Sequence, residues 1–232
     1  MRKTQSTKAT PKRIGLMVPS SNSVMEPDFY LNLPQDWTLH TARMFLEDVT
    51  PEGEARMIDE FALPAARDLA TVHPDVLVFG CTSAGALRGN IFEEQLMADI
   101  TSKTGIPCVS VAKAVRETLR SLGISRVAVA TPYVEVLNQK IAASLEDDGI
   151  QVMRITGLGI VANTEIGTVP GQKIIDLAHK AVVGLEPQAL FISCTNFPAV
   201  SVLEKVRSQF PFPVISSNQA VLDSAVALAS SL

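Results

Sequence analysis

The feature that most constrains this chain is a repeat. Arg13-Ile-Gly-Leu-Met-Val-Pro19 and Arg126-Val-Ala-Val-Ala-Thr-Pro132 share one pattern, and Arg126 follows Arg13 by 113 residues. Val76-Leu-Val-Phe-Gly-Cys-Thr82 and Ala189-Leu-Phe-Ile-Ser-Cys-Thr195 share another, and Cys194 follows Cys81 by the same 113 residues. Gly105-Ile-Pro107 and Pro211-Phe-Pro213 are 106 apart, so the second copy has a shorter connection there. One offset at two separated places implies two similar halves. Each half would carry a strand that ends in Cys-Thr.

The pattern between these anchors is an alternation of short β-branched runs and longer amphipathic ones. Strands are expected over 14–18, 37–44, 76–79, around Val109, and over 127–130, 150–155, 189–192 and 214–215. Helices are expected over 51–72, 91–102, 112–122, 134–145, 173–183, 200–208 and 219–229. In 51–72, Met57, Ile58, Phe61, Ala65 and Leu69 recur on one side. Alternating strands and helices predict an α/β fold with mostly parallel sheets flanked by helices. The expected fold is two pseudo-symmetric Rossmann-like halves, 13–115 and 116–232, with the active site in the cleft between them. The last helix is a candidate to cross back onto the first half. Residues 1–12 read as a flexible leader.

Composition removes several function classes. The chain has 232 residues, of which 47% are hydrophobic and 19% charged, so it can bury a sizeable core. The net charge is −4 and Lys and Arg are scattered, which leaves no nucleic-acid footprint. No apolar run reaches the length of a membrane span. Residues 1–12 are basic and polar and lack the apolar centre of a secretory signal. Three cysteines make an odd number, which argues against a disulfide framework and for a reducing cytoplasm.

The chemistry-bearing residues gather at the strand ends. Ligands of parallel α/β sheets bind outside the carboxyl ends of the strands, where both Cys-Thr pairs stand. Two halves related by an approximate two-fold would aim Cys81 and Cys194 at opposite faces of one ligand. Two opposed acid/base groups are what inversion at a carbon requires. A lone cysteine at a strand end is more often a small core residue, and Cys108, with no repeat partner, reads as core. Thr82 and Ser83 after Cys81, and Thr195 and Asn196 after Cys194, offer hydroxyls and backbone N–H groups as an anion cradle. Ser20, Ser21 and Asn22 end the first strand, and Tyr133 occupies the equivalent region of the second half. Ser-Ser-Asn is also an ordinary helix-capping sequence. Arg43 and Arg88 could supply charge. No histidine stands at metal-ligand spacing, so no metal is expected. Neither a Walker A loop nor a G-x-G-x-x-G fingerprint is present, and no cofactor is expected.

At these residues the chain resembles the aspartate/glutamate racemase superfamily, in particular its branch of maleate cis-trans isomerases and arylmalonate decarboxylases. The resemblance runs from Arg13 to the C-terminal helix. Pro19-Ser-Ser-Asn-Ser-Val-Met-Glu26 looks like the isomerase opening, in which the asparagine, here Asn22, binds a substrate carboxylate. Thr50-Pro-Glu-Gly53, Cys81-Thr-Ser83 and Arg88-Gly89 look more like the decarboxylase. Tyr133 matches a substrate-binding tyrosine of the branch, and Asn163 falls where the isomerases carry a second carboxylate-binding asparagine. The decarboxylase keeps only the second cysteine and has glycine at the first. Both are present here, which turns the expectation toward isomerisation or racemisation. Gly80-Cys-Thr-Ser-Ala-Gly85 and Cys194-Thr-Asn-Phe-Pro198 look like racemase sequences, and a racemase-like protein of ectoine utilisation is similar too.

The resemblance implies a cofactor-independent enzyme for a small dicarboxylate or amino-acid-like substrate, first a maleate isomerase. A racemase is the alternative, a decarboxylase the third reading, and a two-lobed carboxylate-binding protein the reading outside enzymes. The apolar helix faces leave room for a homo-oligomer.

Overall fold

The computed structural model of the chain describes residues 11–232. Most of the expected leader lies outside the described residues. The described chain builds two four-stranded parallel sheets with helices on their faces.

The first sheet is formed by β1 (Arg13–Pro19), β2 (Thr38–Met44), β3 (Val76–Phe79) and β4 (Cys108–Ser110), in the order β2-β1-β3-β4. The helices that follow its strands are α1 (Met25–Asn32), α2 (Pro51–Arg56), α3 (Leu63–Ala70), α4 (Thr82–Ala86), α5 (Asn90–Thr104) and α6 (Val111–Ser121). The second sheet is formed by β5 (Arg126–Thr131), β6 (Gln151–Gly157), β7 (Ala189–Ile192) and β8 (Val214–Ser216), in the order β6-β5-β7-β8. Its helices are α7 (Glu135–Asp147), α8 (Asn163–Ile166), α9 (Gly171–Val182), α10 (Leu203–Arg207) and α11 (Ser217–Ser231). The two strand orders are the same order, which is the repeat made visible.

The central strands explain why the repeat was legible. Val76–Phe79 and Ala189–Ile192 are buried at every position, because helices cover both faces of each sheet. Such strands read as continuous apolar runs. Gly80 then ends β3 at a close approach: a Cβ there would lie 2.6 Å from the Met17 carbonyl oxygen and 2.9 Å from the Met25 sulfur. The missing side chain lets Cys81 turn out of the sheet against β1.

Several elements differ from expectation for local reasons. The expected helix over 51–72 widens into a π-helical turn at Met57–Ala62. Pro64 follows at once, and it has no N–H to return to the carbonyl four residues earlier, so the ladder expands ahead of it. Helix α1 is not among the expected elements: it buries only Met25 and Phe29, too short a stripe to register as a period. Pro27 sits in its first turn, where proline is tolerated. The expected helix over 200–208 opens as a 3₁₀ turn, Val200–Val202, before α10.

The last helix crosses between the halves. α11 packs on α6, β3, β4 and α1 as well as on its own β8. Both α6 and α11 are capped by the last strand residue before them, with Ser110 accepting from the Lys113 N–H and Ser216 from the Gln219 N–H. Among the described residues, no helix is long and apolar enough to cross a membrane.

Candidate active site

A small, largely buried cavity lies between the carboxyl ends of the two sheets. Cys81 and Cys194 both line it, together with Asn22, Ser83, Tyr133, Asn163, Thr195 and Asn196. Of the expected site residues, Ser20, Ser21 and Thr82 do not reach it. Ser20 and Ser21 bind the backbone of Leu46, and Thr82 donates to the Ser217 hydroxyl at 2.9 Å. Pro19, Leu46, Val49 and Glu54 complete the wall. Beside Val49 the two halves are joined by backbone: the Val49 N–H donates to the Val161 carbonyl at 2.9 Å, and Asp48 forms a bridge with Ala162.

The two thiols are held differently. Cys81 is the extended residue just before α4 and lies 3.9 Å from the Ser83 hydroxyl. Cys194 has a φ of 102°, a left-handed conformation that a non-glycine residue adopts only when its surroundings enforce it. The enforcing contacts are on both sides. The Cys194 N–H donates to the Ser217 hydroxyl at 3.0 Å, and the Asn196 N–H donates to the Cys194 sulfur at 3.4 Å. A turn follows Cys194, whereas α4 follows Cys81, so only one thiol stands at a helix start.

Burial pushes both thiols up, Cys194 to about 11 and Cys81 well above the ordinary thiol range. The Tyr133 hydroxyl and the N–H groups of Asn196 and Phe197 oppose this at Cys194. The Ala84 N–H and the Ser83 hydroxyl oppose it at Cys81, and the charge of Glu54 adds to it. Tyr133, fully enclosed, is held up by burial first and then by the two sulfurs. Burial therefore favours the thiol form of both cysteines, and a thiolate needs a proton acceptor or a shared proton.

The carboxamides cross-link the halves. Asn22 donates to the Thr195 hydroxyl at 3.1 Å, and its Oδ1 accepts from the N–H groups of Val24 and Met25. Asn163 donates to Ser21 at 2.8 Å and accepts from Asn196 at 3.1 Å. Thr195 donates to the Gly80 carbonyl at 3.1 Å. All these groups are hydrogen-bond donors without charge. Arg43 is paired with Glu26 and Arg88 with Asp59, and neither lines the cavity. Cys108 is half-buried in β4, with its sulfur 3.4 Å from that of Met97, away from the cavity. Among the described residues, no group of three or more His, Cys, Asp or Glu side chains could hold a metal ion.

Sequence reasoning missed Glu54. It is completely buried, in α2, and Ser83 donates to its Oε1. Burial drives its carboxyl up to about 8, against the opposing Ser83 bond. The signal was present: Glu54 stands three and four residues before Met57 and Ile58, on the apolar stripe of its helix.

Comparison with known proteins gives a consistent result. A family profile described as arylmalonate decarboxylase matches residues 14–231. A maleate isomerase of Nocardia farcinica is 32% identical over 219 residues, covering 90% of this chain and 86% of the relative. An arylmalonate decarboxylase of Bordetella bronchiseptica is 29% identical, covering 95% of this chain and 92% of the relative. Among solved structures, a cysteine-to-serine variant of the Nocardia farcinica maleate cis-trans isomerase, with a covalently bound succinylcysteine intermediate, superposes with a TM-score of 0.86. It is 30% identical, covering 94% of this chain and 93% of that one. A cysteine-to-alanine variant of a Pseudomonas putida S16 maleate isomerase with maleate superposes at 0.82, with 27% identity over 90% of this chain and 88% of that one.

Proposed function

Because the chain belongs to the arylmalonate decarboxylase family, we propose that it is a cofactor-independent cis-trans isomerase that converts maleate to fumarate. The observation that carries this reading is the pair of cysteines on one buried cavity lined by uncharged carboxamide and hydroxyl donors. A decarboxylase-like site needs one thiol, and the resemblance gives the decarboxylases glycine where Cys81 stands. A second thiol is useful when an intermediate is entered and left through both a covalent bond and a proton.

In this mechanism Cys81 gives up its proton to solvent before maleate is enclosed, and the thiolate adds to one alkene carbon of maleate. The π pair moves to the neighbouring carbon, where the attached carboxylate delocalises it, and the Cys194 thiol delivers a proton there. Rotation about the new single bond follows. Cys194 takes the proton back, the carbon–sulfur bond breaks, and the trans alkene leaves with the Cys81 thiolate restored. Asn22, Asn163, Tyr133, Thr195 and Asn196 would hold the two carboxylates and the developing enolate by hydrogen bonds. Ser20 and Ser21 would act at one remove, by anchoring Leu46 over the cavity. Thr82 would act with Ser217 on the Cys194 backbone.

Racemisation is the second reading, favoured by the Cys-Thr sequences at both strand ends; there one thiolate would remove an α-proton and the other thiol return one. A cytoplasmic location suits the free thiols of either enzyme, and exposed apolar residues such as Tyr30, Leu31 and Ile91 leave a dimer open. Incubation with maleate in deuterated water tests the choice. Fumarate is the expected product, and Cys81→Ala and Cys194→Ala should each lower turnover by about a hundred-fold or more with the fold intact. Unreacted maleate together with α-proton exchange on an amino acid would replace isomerisation by racemisation. A single-cysteine variant of near-full activity would remove the two-thiol mechanism.

A further inference from the structure

One ionisable group in the cavity is used neither by the thiol chemistry nor by the carboxamide cradle. Glu54 lines the cavity and is completely buried. Its Oε1 is engaged by Ser83, but its Oε2 is buried with no hydrogen-bond partner among the described residues. Buried polar atoms are almost always partnered, and an orphaned one on a cavity wall is an atom arranged for a ligand. No Lys, Arg or His lines the cavity. A ligand bearing two negative charges would therefore be held by hydrogen-bond donors alone, and an ionised Glu54 beside it would repel it.

We propose that Glu54 is a substrate-contacting residue that acts as a neutral acid, its Oε2–H donating a hydrogen bond to a carboxylate oxygen of the bound dicarboxylate. This deepens the reading above and rests on it for the class of ligand. Glu54 would sort ligands by charge and by pH. It accepts a dianion only with its own proton in place, and it penalises that dianion once the proton is lost.

The surroundings support a proton held at neutral pH. Burial raises the Glu54 carboxyl to about 8. The titratable groups facing it are Cys81 and Cys194 at the two strand ends and Tyr133 after β5, all themselves held up by burial and so uncharged in that range. Glu52, Arg56 and Asp59, the nearest charged neighbours in sequence, are exposed and do not line the cavity. A bound dianion would raise the Glu54 pKa further, so above about pH 8 binding must take up a proton.

Succinate is a suitable probe, since it has the two carboxylates and no alkene to isomerise. Calorimetric titration from pH 6.5 to 9.5 should give a Kd that is flat below about pH 8 and weakens roughly ten-fold per unit above it. Glu54→Gln, whose amide still donates but cannot ionise, should bind succinate with no such alkaline loss. Glu54→Leu should bind about ten-fold or more weakly at every pH. Should the variants not fold, titration of the unaltered protein at pH 8.5 in buffers of different ionisation heat reads the same quantity, and uptake of a fraction of a proton is expected. Absence of proton uptake, or an alkaline loss that persists in Glu54→Gln, overturns the proposal. So does aspartate that binds more tightly with rising pH and loses this in Glu54→Gln, because ionised Glu54 would then be gripping an ammonium group. Turnover of maleate without any pH-linked binding removes this inference alone. Absence of both succinate binding and maleate turnover removes the dicarboxylate reading with it.

Discussion

Glu54 also couples the folded state to pH, independently of any ligand. Its carboxyl rises from an ordinary value of 4.5 to about 8 on burial. A group whose pKa is raised by folding holds its proton more tightly when folded. Its contribution to stability is therefore fully present below about pH 4.5, falls as pH rises through the interval, and is gone above about pH 8. The slope at full effect is about 1.4 kcal/mol per pH unit, so the total is on the order of several kcal/mol. Glu54→Gln removes the slope and gains on the unaltered protein as pH rises. Urea midpoints at pH 5.5 and 8.5 check this. The midpoint of the unaltered protein should drop between the two and that of the variant should hold, and parallel behaviour of the two proteins would show that the cavity carboxyl is not the group being titrated.

Between elements, the halves are joined by a buried charged network that has no part in the cavity. Arg116 of α6 pairs with Glu93 of α5 at 2.8 Å and with Asp148, just past α7, at 2.9 Å. Glu93 also caps the neighbourhood of α6 through Ser110 and the Lys113 N–H. Arg116 and Glu93 are 2% and 0% exposed, so removing Arg116 leaves Glu93 charged and without an ion partner away from water. Arg116→Met should cost about 3–5 kcal/mol, and the further change Glu93→Gln should recover a large part of it. Thermal unfolding of the single and double variants measures the recovery; additive losses would mean the pair is not coupled. This network also marks where sequence reading stopped. The strands and the Cys-Thr ends were legible because each is local and each recurs at one offset. The cavity residues were mostly legible for the same reason, since they follow strand ends. Glu54, Glu93 and Arg116 were not, because a charge on an apolar stripe is interpretable only once its partner is known, and those partners lie in other elements. Helix α1 was invisible for a different reason, having too few buried positions to show a period.

At the scale of the whole molecule, the repeat would lead one to expect two independent folding units, and the packing argues otherwise. α11 belongs in sequence to the second half, yet it covers β3 and β4 and packs on α6. Its buried positions are largely alanine and other small residues, Ala220, Val221, Ala225 and Ala229 among them, which let it lie close to its neighbours. Its first residue, Ser217, accepts from the Thr82 hydroxyl and from the Cys194 N–H, so one side chain fixes both Cys-Thr ends at once. The equivalent residue after β4 is Val111, which can make neither bond. The symmetry is thus broken where the two thiols must be set relative to each other. A fragment of residues 1–115 would keep all four strands of its sheet but expose the apolar surface that α11 covers. Calorimetry of the full chain should accordingly give a single cooperative transition, and the fragment should lack one. Two separate transitions in the full chain would mean that each half is held by its own core and that α11 is only an attachment. Ser217→Ala distinguishes the two cases locally. If α11 sets the cysteines, losing its hydroxyl should lower turnover as well as stability, because the left-handed Cys194 would lose the acceptor that holds its backbone.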